Sequence, residues 1–238
     1  MQDDDRIDAI KSFPAEDWVP LFRQYLAKDT KYLPPNWLDK ISIAAPDAAR
    51  LREDCKTLRT LKAERPMRLA AIKGQAQGLH EGLLAVLTAG RHFKLDTPAT
   101  ARVLNAANDD LLPVLFYFKT RFNAARPSAY LPDLNPMFAK PDAEFPGHPS
   151  YPSGHAAQSR MYALVLSEML PQLRKQLFDV ANDIALNREV AGVHFASDSE
   201  AGQRLAEMVF EQLMLNGDFV RLVRLARVEW SDQFPVAP

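Results

Sequence analysis

Seven prolines, at positions 127, 132, 136, 141, 146, 149 and 152, crowd one stretch of this chain. Each fixes φ, withdraws a backbone donor and biases its predecessor away from the helical region, so residues 127–152 can be neither helix nor strand. They form one long, stiffened loop, and a loop of that length in a compact domain is usually functional or disordered. Tyr130, Leu131, Leu134, Met137, Phe138, Phe145 and Tyr151 favour packing over disorder. The flanks therefore have to supply the fold. From Pro46 to Gly90 the apolar residues keep mainly helical spacing, with an interruption near Pro66. Thr97 before Pro98 has good capping chemistry for a helix through ATARVLNAANDDLL, Pro113 punctuates it, and a further helical stretch runs from about Val114 to Ala125. Beyond the loop lie the run AAQSRMYALVLSEML, two helices with a break near Ala191–Gly192, and a last basic amphipathic helix with Val220, Leu222, Val223, Leu225 and Val228 on its apolar side. Nowhere is there an alternating β-branched segment of strand length, a repeat or a low-complexity tract. The expected fold is all-α, a helical domain over residues 41–238 with residues 1–40 as an arm packing over it, in which Asp17 to Lys28 forms a short amphipathic helix stopped by Pro34–Pro35.

Composition narrows the function. With 29 basic and 30 acidic residues the net charge is −1, so no global field points to nucleic acid or an anionic membrane surface. The lone Cys55 leaves no internal disulfide, and no Cys or His cluster has the spacing of a metal site. The start, MQDDDRIDAI, lacks the apolar core of a signal peptide, and no apolar run approaches the roughly 18 residues of a spanning helix. The expectation is a soluble protein, periplasmic or secreted if a signal peptide has been removed and otherwise cytoplasmic. Oligomeric state is open, a homo-oligomer included.

Three groups of residues carry chemistry. In SYPSGHAA, the Ser153 hydroxyl and the amides of Gly154 and His155 stand at a helix start, where the helix dipole favours an anion; a plain N-cap at Ser153 explains the same tetrapeptide. Upstream, Lys119 and Arg126 are seven residues apart, two helical turns, and Pro127 ends the helix with Arg126 at its exposed end. Downstream come Arg188, His194 and Asp198. If His194 begins a helix, Asp198 lies one turn on and can accept from Nδ1–H, which leaves Nε2 free as a nucleophile. Each group also has a plain structural explanation as solvated cations or a surface His–Asp pair. His80, His92 and, within the proline-rich loop, His148 read as histidines without chemistry, although His148 is also a candidate for touching substrate.

In order and spacing, Lys119-x6-Arg126-Pro127, Pro152-Ser153-Gly154-His155 and Arg188-x5-His194-x3-Asp198 resemble the three-part signature of the type 2 phosphatidic acid phosphatase superfamily. That superfamily includes bacterial class A non-specific acid phosphatases, lipid phosphate phosphatases and vanadium-dependent haloperoxidases. YPSGHAAQSRMYALVLSEMLP, VHFASDSEAGQ, LDTPAT and KYLPP are most similar to the soluble class A enzymes, over roughly residues 30 to 230. Asn187 stands where that pattern has Ser, Ser128 where it usually has an aromatic, and the segment FAKPDAEFPGHP has no clear counterpart. The resemblance implies a helical bundle of the acid phosphatase and haloperoxidase type and a metal-independent phosphomonoester hydrolase acting on small organic phosphates. It implies that Lys119, Arg126, Ser153, Gly154 and Arg188 hold the phosphoryl group. His194 would become a phosphohistidine, Asp198 would hold and polarise it, and His155 would protonate the leaving oxygen and then activate water. No metal cofactor is implied, since fixed cations and amides take its place. The alternatives are a vanadium-dependent haloperoxidase, in which the same cradle holds vanadate, and a non-catalytic phosphate-binding helical protein.

Overall fold

A computed structural model of the chain describes residues 7, 10–77, 83, 97–138 and 146–231. The expectations for His80, His92 and part of the FAKPDAEFPGHP segment lie outside the described residues. The fold is all-α: among the described residues the sole β feature is an isolated bridge between Ser12 and Ala124. The helices are α1 (Pro20–Arg23), α2 (Ala48–Leu61), α3 (Arg65–Gln77), α4 (Pro98–Phe122), α5 (Gly154–Met169), α6 (Arg174–Val190), α7 (Ala196–Leu213) and α8 (Gly217–Val228). No described helix is long and apolar enough to cross a membrane.

Helix α5 is the axis of the molecule. Its Ala, Leu, Val, Met and Tyr residues leave no polar stripe, which is the pattern of a helix enclosed on all sides, and α4, α6, α7 and α8 all pack on it. Within α5 only His155, Gln158 and Glu168 escape burial. His155 and Gln158 lie three apart, on one face at the N-terminal end, and that face borders a cavity.

Four local expectations are corrected. Pro113 does not divide the chain into two helices: α4 runs unbroken from Pro98 to Phe122 with Pro113 inside it. An interior proline costs about 3 kcal/mol, but Leu111, Leu112, Val114, Leu115 and Phe116 around it are all buried, and that burial outweighs the lost bond. Thr97 makes no capping bond. The Glu229 carboxylate beyond α8 accepts instead from Ala99 N (2.6 Å) and Thr100 N (2.8 Å), placing an anion at the positive end of α4. In α8 the buried side is Phe219, Val223 and Ala226, continued by Trp230, whereas Leu225 and Val228 are exposed. That series steps by four, three and four residues, the spacing of one helical face. The segment from Asp17 to Lys28 holds only α1 and the 3-10 turns around it, not one helix.

Residues 11–33 lie against the bundle through backbone groups. Phe13 N donates to Asn123 O (2.7 Å), Ala125 N to Lys11 O (2.8 Å), and Val19 N to Gly147 O (2.8 Å). The Asp110 carboxylate, buried in α4, accepts from the backbone N–H groups of Lys31, Tyr32 and Leu33 at 2.7 to 2.9 Å.

Candidate active site

The three motif groups, scattered over 80 positions of sequence, converge at the N-terminal end of α5. Helix α4 ends at Asn123 in the left-handed region (φ 44°), with its N–H bonded to Lys119 O. Lys119 is thus in the last turn of α4. Arg126 is not on the helix and not exposed: it follows in extended backbone and is buried. Its approach is clamped on both sides, because Ala125 N donates to Lys11 O and Ser150 N donates to Ala124 O (2.9 Å).

The second group enters from the proline-rich loop. Ser153 caps α5, its hydroxyl accepting from Ala156 N (3.4 Å), and its side chain is fully buried. Gly154 and His155 line the cavity. The third group comes from the turn between α6 and α7. Gly192 adopts φ 76°, a conformation open to glycine, and the turn is braced by Arg65, which donates from Nε to Val190 O (2.8 Å) and from Nη1 to Asn135 O (2.7 Å). His194 and Phe195 precede α7, so His194 does not begin the helix. Asp198, in its first turn, accepts from Phe195 N (3.0 Å) and from His194 Nδ1 (3.0 Å). The groups are tied together where Ser153 N donates to Asp198 O (2.9 Å). At Gly202 a Cβ would stand 2.4 Å from Ser153 O, so α7 can approach the start of α5 only through a glycine.

A cavity of about 370 Å³ opens onto Lys119, Gly154, His155, Arg188 and His194. The three cations are not equivalent. Lys119 Nζ donates to Pro149 O (2.7 Å) and Ser150 O (3.1 Å), which leaves one donor. Arg126 is a clasp: Nη1 reaches Val193 O (2.7 Å) and His194 Nε2 (3.4 Å), Nη2 reaches His148 O (2.9 Å) and His148 Nδ1 (3.2 Å), and Nε lies 3.2 Å from both Pro146 O and His148 O. Arg188 is buried over the Phe138 ring, 4.8 Å from its centroid, and its Nε and Nη1 have no hydrogen-bond partner among the described residues. Two unpaired guanidinium nitrogens, with three N–H groups between them, in a buried position call for an anion.

The electrostatics agree. Burial and the neighbouring Arg126 hold the Lys119 ammonium well below its ordinary value, against the pull of Asp198. Burial brings Arg126 down to about 9 and Arg188 to about 10. Burial and the three cations push His194 well below 6.5, and burial with Arg188 and Arg126 pushes His155 down to about 3. Both imidazoles are neutral in the empty site. Burial raises Asp198 to about 6, opposed by its bonds from Ser150 and Phe195 and by Lys119 and Arg126. The His194 Nδ1–H thus points at a carboxylate and Nε2 carries the lone pair. Among the described residues no group of His, Cys, Asp and Glu is arranged to hold a metal ion.

Three contributors have no signal in the sequence spacing. Ser150 Oγ donates to Asp198 Oδ2 and stands 3.3 Å from His194 Nδ1. Arg65 braces the turn before His194 from 129 positions upstream, a reach that only the folded chain supplies. His148, which the sequence offered as a candidate for touching substrate without any spacing to support it, borders the cavity against Arg126.

Residues 103–213 match the family model described as PAP2 superfamily. The non-specific acid phosphatase of Salmonella typhi is 33% identical over 84 residues, 35% of this chain and 34% of that protein. The acid phosphatase of Zymomonas mobilis subsp. mobilis is 32% identical over 112 residues, 47% of this chain and 42% of that protein, and the non-specific acid phosphatase of Providencia stuartii is 32% identical over 82 residues, 34% and 33%. The matches thus span between a third and less than half of the relatives' lengths. Lys119, Arg126, Ser153, Gly154, His155, Arg188, His194 and Asp198 all fall inside the stretch, residues 103–213, that matches the PAP2 superfamily model.

Proposed function

We propose that this chain is a phosphomonoesterase that cleaves small organic phosphates through a phosphohistidine at His194. The observation that carries the reading is the His194–Asp198 bond of 3.0 Å beside Arg188, whose buried Nε and Nη1 are unpaired among the described residues. Phosphatase chemistry is also named for the similar proteins of Salmonella typhi and Zymomonas mobilis.

In this mechanism a phosphoryl dianion settles against the free donors of Lys119 and Arg188, with the Gly154 and His155 amides at the helix start, and Arg126, its donors already spent, adds fixed positive charge. The His194 Nε2 lone pair attacks phosphorus as the ester P–O bond breaks, and the Asp198 carboxylate stabilises the cationic ring through Nδ1–H. His155 gives its proton to the leaving oxygen. It then takes a proton from water, whose oxygen attacks phosphorus and releases the P–N bond to free phosphate and His194. Burial first, then Arg188 and Arg126, bring the His155 value down to about 3 in the empty cradle, so the ring is neutral there. The substrate's negative charge offsets those cations and raises the His155 value, so binding itself arms the acid.

The test is hydrolysis of p-nitrophenyl phosphate from pH 4 to 8 in EDTA, with vanadate as competitor, for wild type and His194→Ala. Expected are metal-independent turnover that vanadate blocks, a bell-shaped profile and a loss of at least ~10³-fold in the variant. Turnover that survives in His194→Ala overturns the nucleophile assignment. A wild type without turnover, in which vanadate still binds, overturns the hydrolase reading.

A further inference from the structure

The cavity does not end at the cradle. Beyond Lys119 and His155 it continues along a wall of Phe22, Tyr25, Leu112 and Phe116. Phe22 and Tyr25 belong to the arm and Phe116 to α4, and the three rings are parallel: Phe22 stacks on Phe116 at 5.6 Å between centroids and 11° between planes, Tyr25 on Phe116 at 5.1 Å and 23°. The His148 ring meets this stack edge-on, 4.7 Å from Phe22 and 5.5 Å from Phe116, while its Nδ1 lies 3.2 Å from Arg126 Nη2. One imidazole therefore joins the cationic end of the cavity to its aromatic end. An ester group bound directly to a phosphoryl oxygen has no polar spacer to cross before it reaches the rings.

We infer that the arm residues Phe22 and Tyr25, with Phe116, form a subsite for the ester group and that the preferred substrates are aryl or arylmethyl phosphomonoesters, not those of sugars or polyols. This rests on the phosphomonoesterase reading above. A flat ring gains offset-stacked or edge contacts with Phe22, Tyr25 and the His148 edge and removes apolar surface from water. A polyol in the same place would bury hydroxyls against the carbon of these rings, and the Gln158 Nε2 to Asn108 Oδ1 bond (2.8 Å) already takes one donor and one acceptor of the two amides nearby.

The test uses phosphonates, which bind without turnover and so remove leaving-group reactivity from the comparison. Benzylphosphonate and methylphosphonate are titrated calorimetrically into the full chain, and the ratio of their dissociation constants is read for wild type, Phe22→Ala, Tyr25→Ala and the conservative Phe22→Leu. Benzylphosphonate should bind wild type about tenfold tighter or more. The ratio should fall severalfold in each alanine variant and be partly kept in Phe22→Leu. A wild-type ratio near one, or a ratio unchanged by the alanine variants, overturns the subsite. If an alanine variant does not fold, the wild-type ratio and Phe22→Leu still decide. Because phosphonate binding needs no catalysis, a protein that prefers benzylphosphonate but hydrolyses no phosphate ester overturns the function while the subsite stands. One that hydrolyses esters and binds both phosphonates equally does the reverse.

Discussion

At the scale of single residues, the site is governed by which polar atoms are already paired. Arg126 spends its donors on Val193, His148 and Pro146, Lys119 keeps one N–H, and Arg188 keeps the three of Nε and Nη1. The residue types were legible in the sequence, because Lys, Arg, Arg, His and Asp in that order have few common purposes. Their division of labour was not, since it depends on carbonyls of the proline-rich loop that no spacing rule reaches. Ser150 shows the limit best. It lies 48 positions from Asp198, yet its hydroxyl helps to hold that carboxylate ionised against burial. Ser150→Ala removes a bond to a charged acceptor, so the Asp198 value should rise from about 6, and the acid limb of kcat/KM should move up by about one pH unit. A limb that stays in place or moves down would show that Asp198 does not set it.

At the scale of elements, contact between α5 and α7 matters most for the site. Period and capping rules found both helices, and the turn at Gly192 was visible as a break. The boundary at Pro113 was misread because a local rule met a helix whose neighbours in sequence are all buried. The cap of α4 was misassigned for a different reason: its acceptor, Glu229, arrives from the far end of the chain. Gly202 is the sharpest test at this scale. Alanine there would put a Cβ 2.4 Å from Ser153 O, so α7 must move off the start of α5 and carry Asp198 and His194 with it. We expect a loss of ~1–3 kcal/mol in urea unfolding and a fall in kcat of about tenfold or more, since small displacements of a reacting group are costly. Unchanged kcat in a destabilised variant would mean that this contact supports the fold but not the chemistry.

For the whole molecule, the buried charges set how stability follows pH. His148, His155 and His194 all have folded-state values depressed below 6.5, mainly by burial, so below that pH the unfolded chain binds protons the folded one refuses. Stability is then lost as pH falls below about 6.5. Asp198, raised to about 6, and Glu189, raised to about 7, act in the opposite sense, because the folded chain takes up their protons first. Three histidines against two carboxyls leave the balance with the histidines, and the melting temperature should fall between pH 7 and pH 5. Saturating inorganic phosphate, which offsets the cations around His155 and His194, should shrink that fall. A melting temperature that rises on acidification would place the buried charge elsewhere.

Two of the arm's fixed points flank its aromatic residues: Val19, bonded to Gly147 O, and Lys31 to Leu33, bonded to the Asp110 carboxylate. Both anchors on the arm side are main-chain amides, indifferent to side-chain identity. Residues 20–30 between them are therefore a replaceable cassette: a segment of the same length could be grafted there and still be held at both ends. Phe22 and Tyr25 are inside that span, whereas Lys119, Arg188, His194 and Asp198 are outside it. Selectivity could thus be redesigned, or drift in evolution, without disturbing the proposed phosphoryl-binding residues.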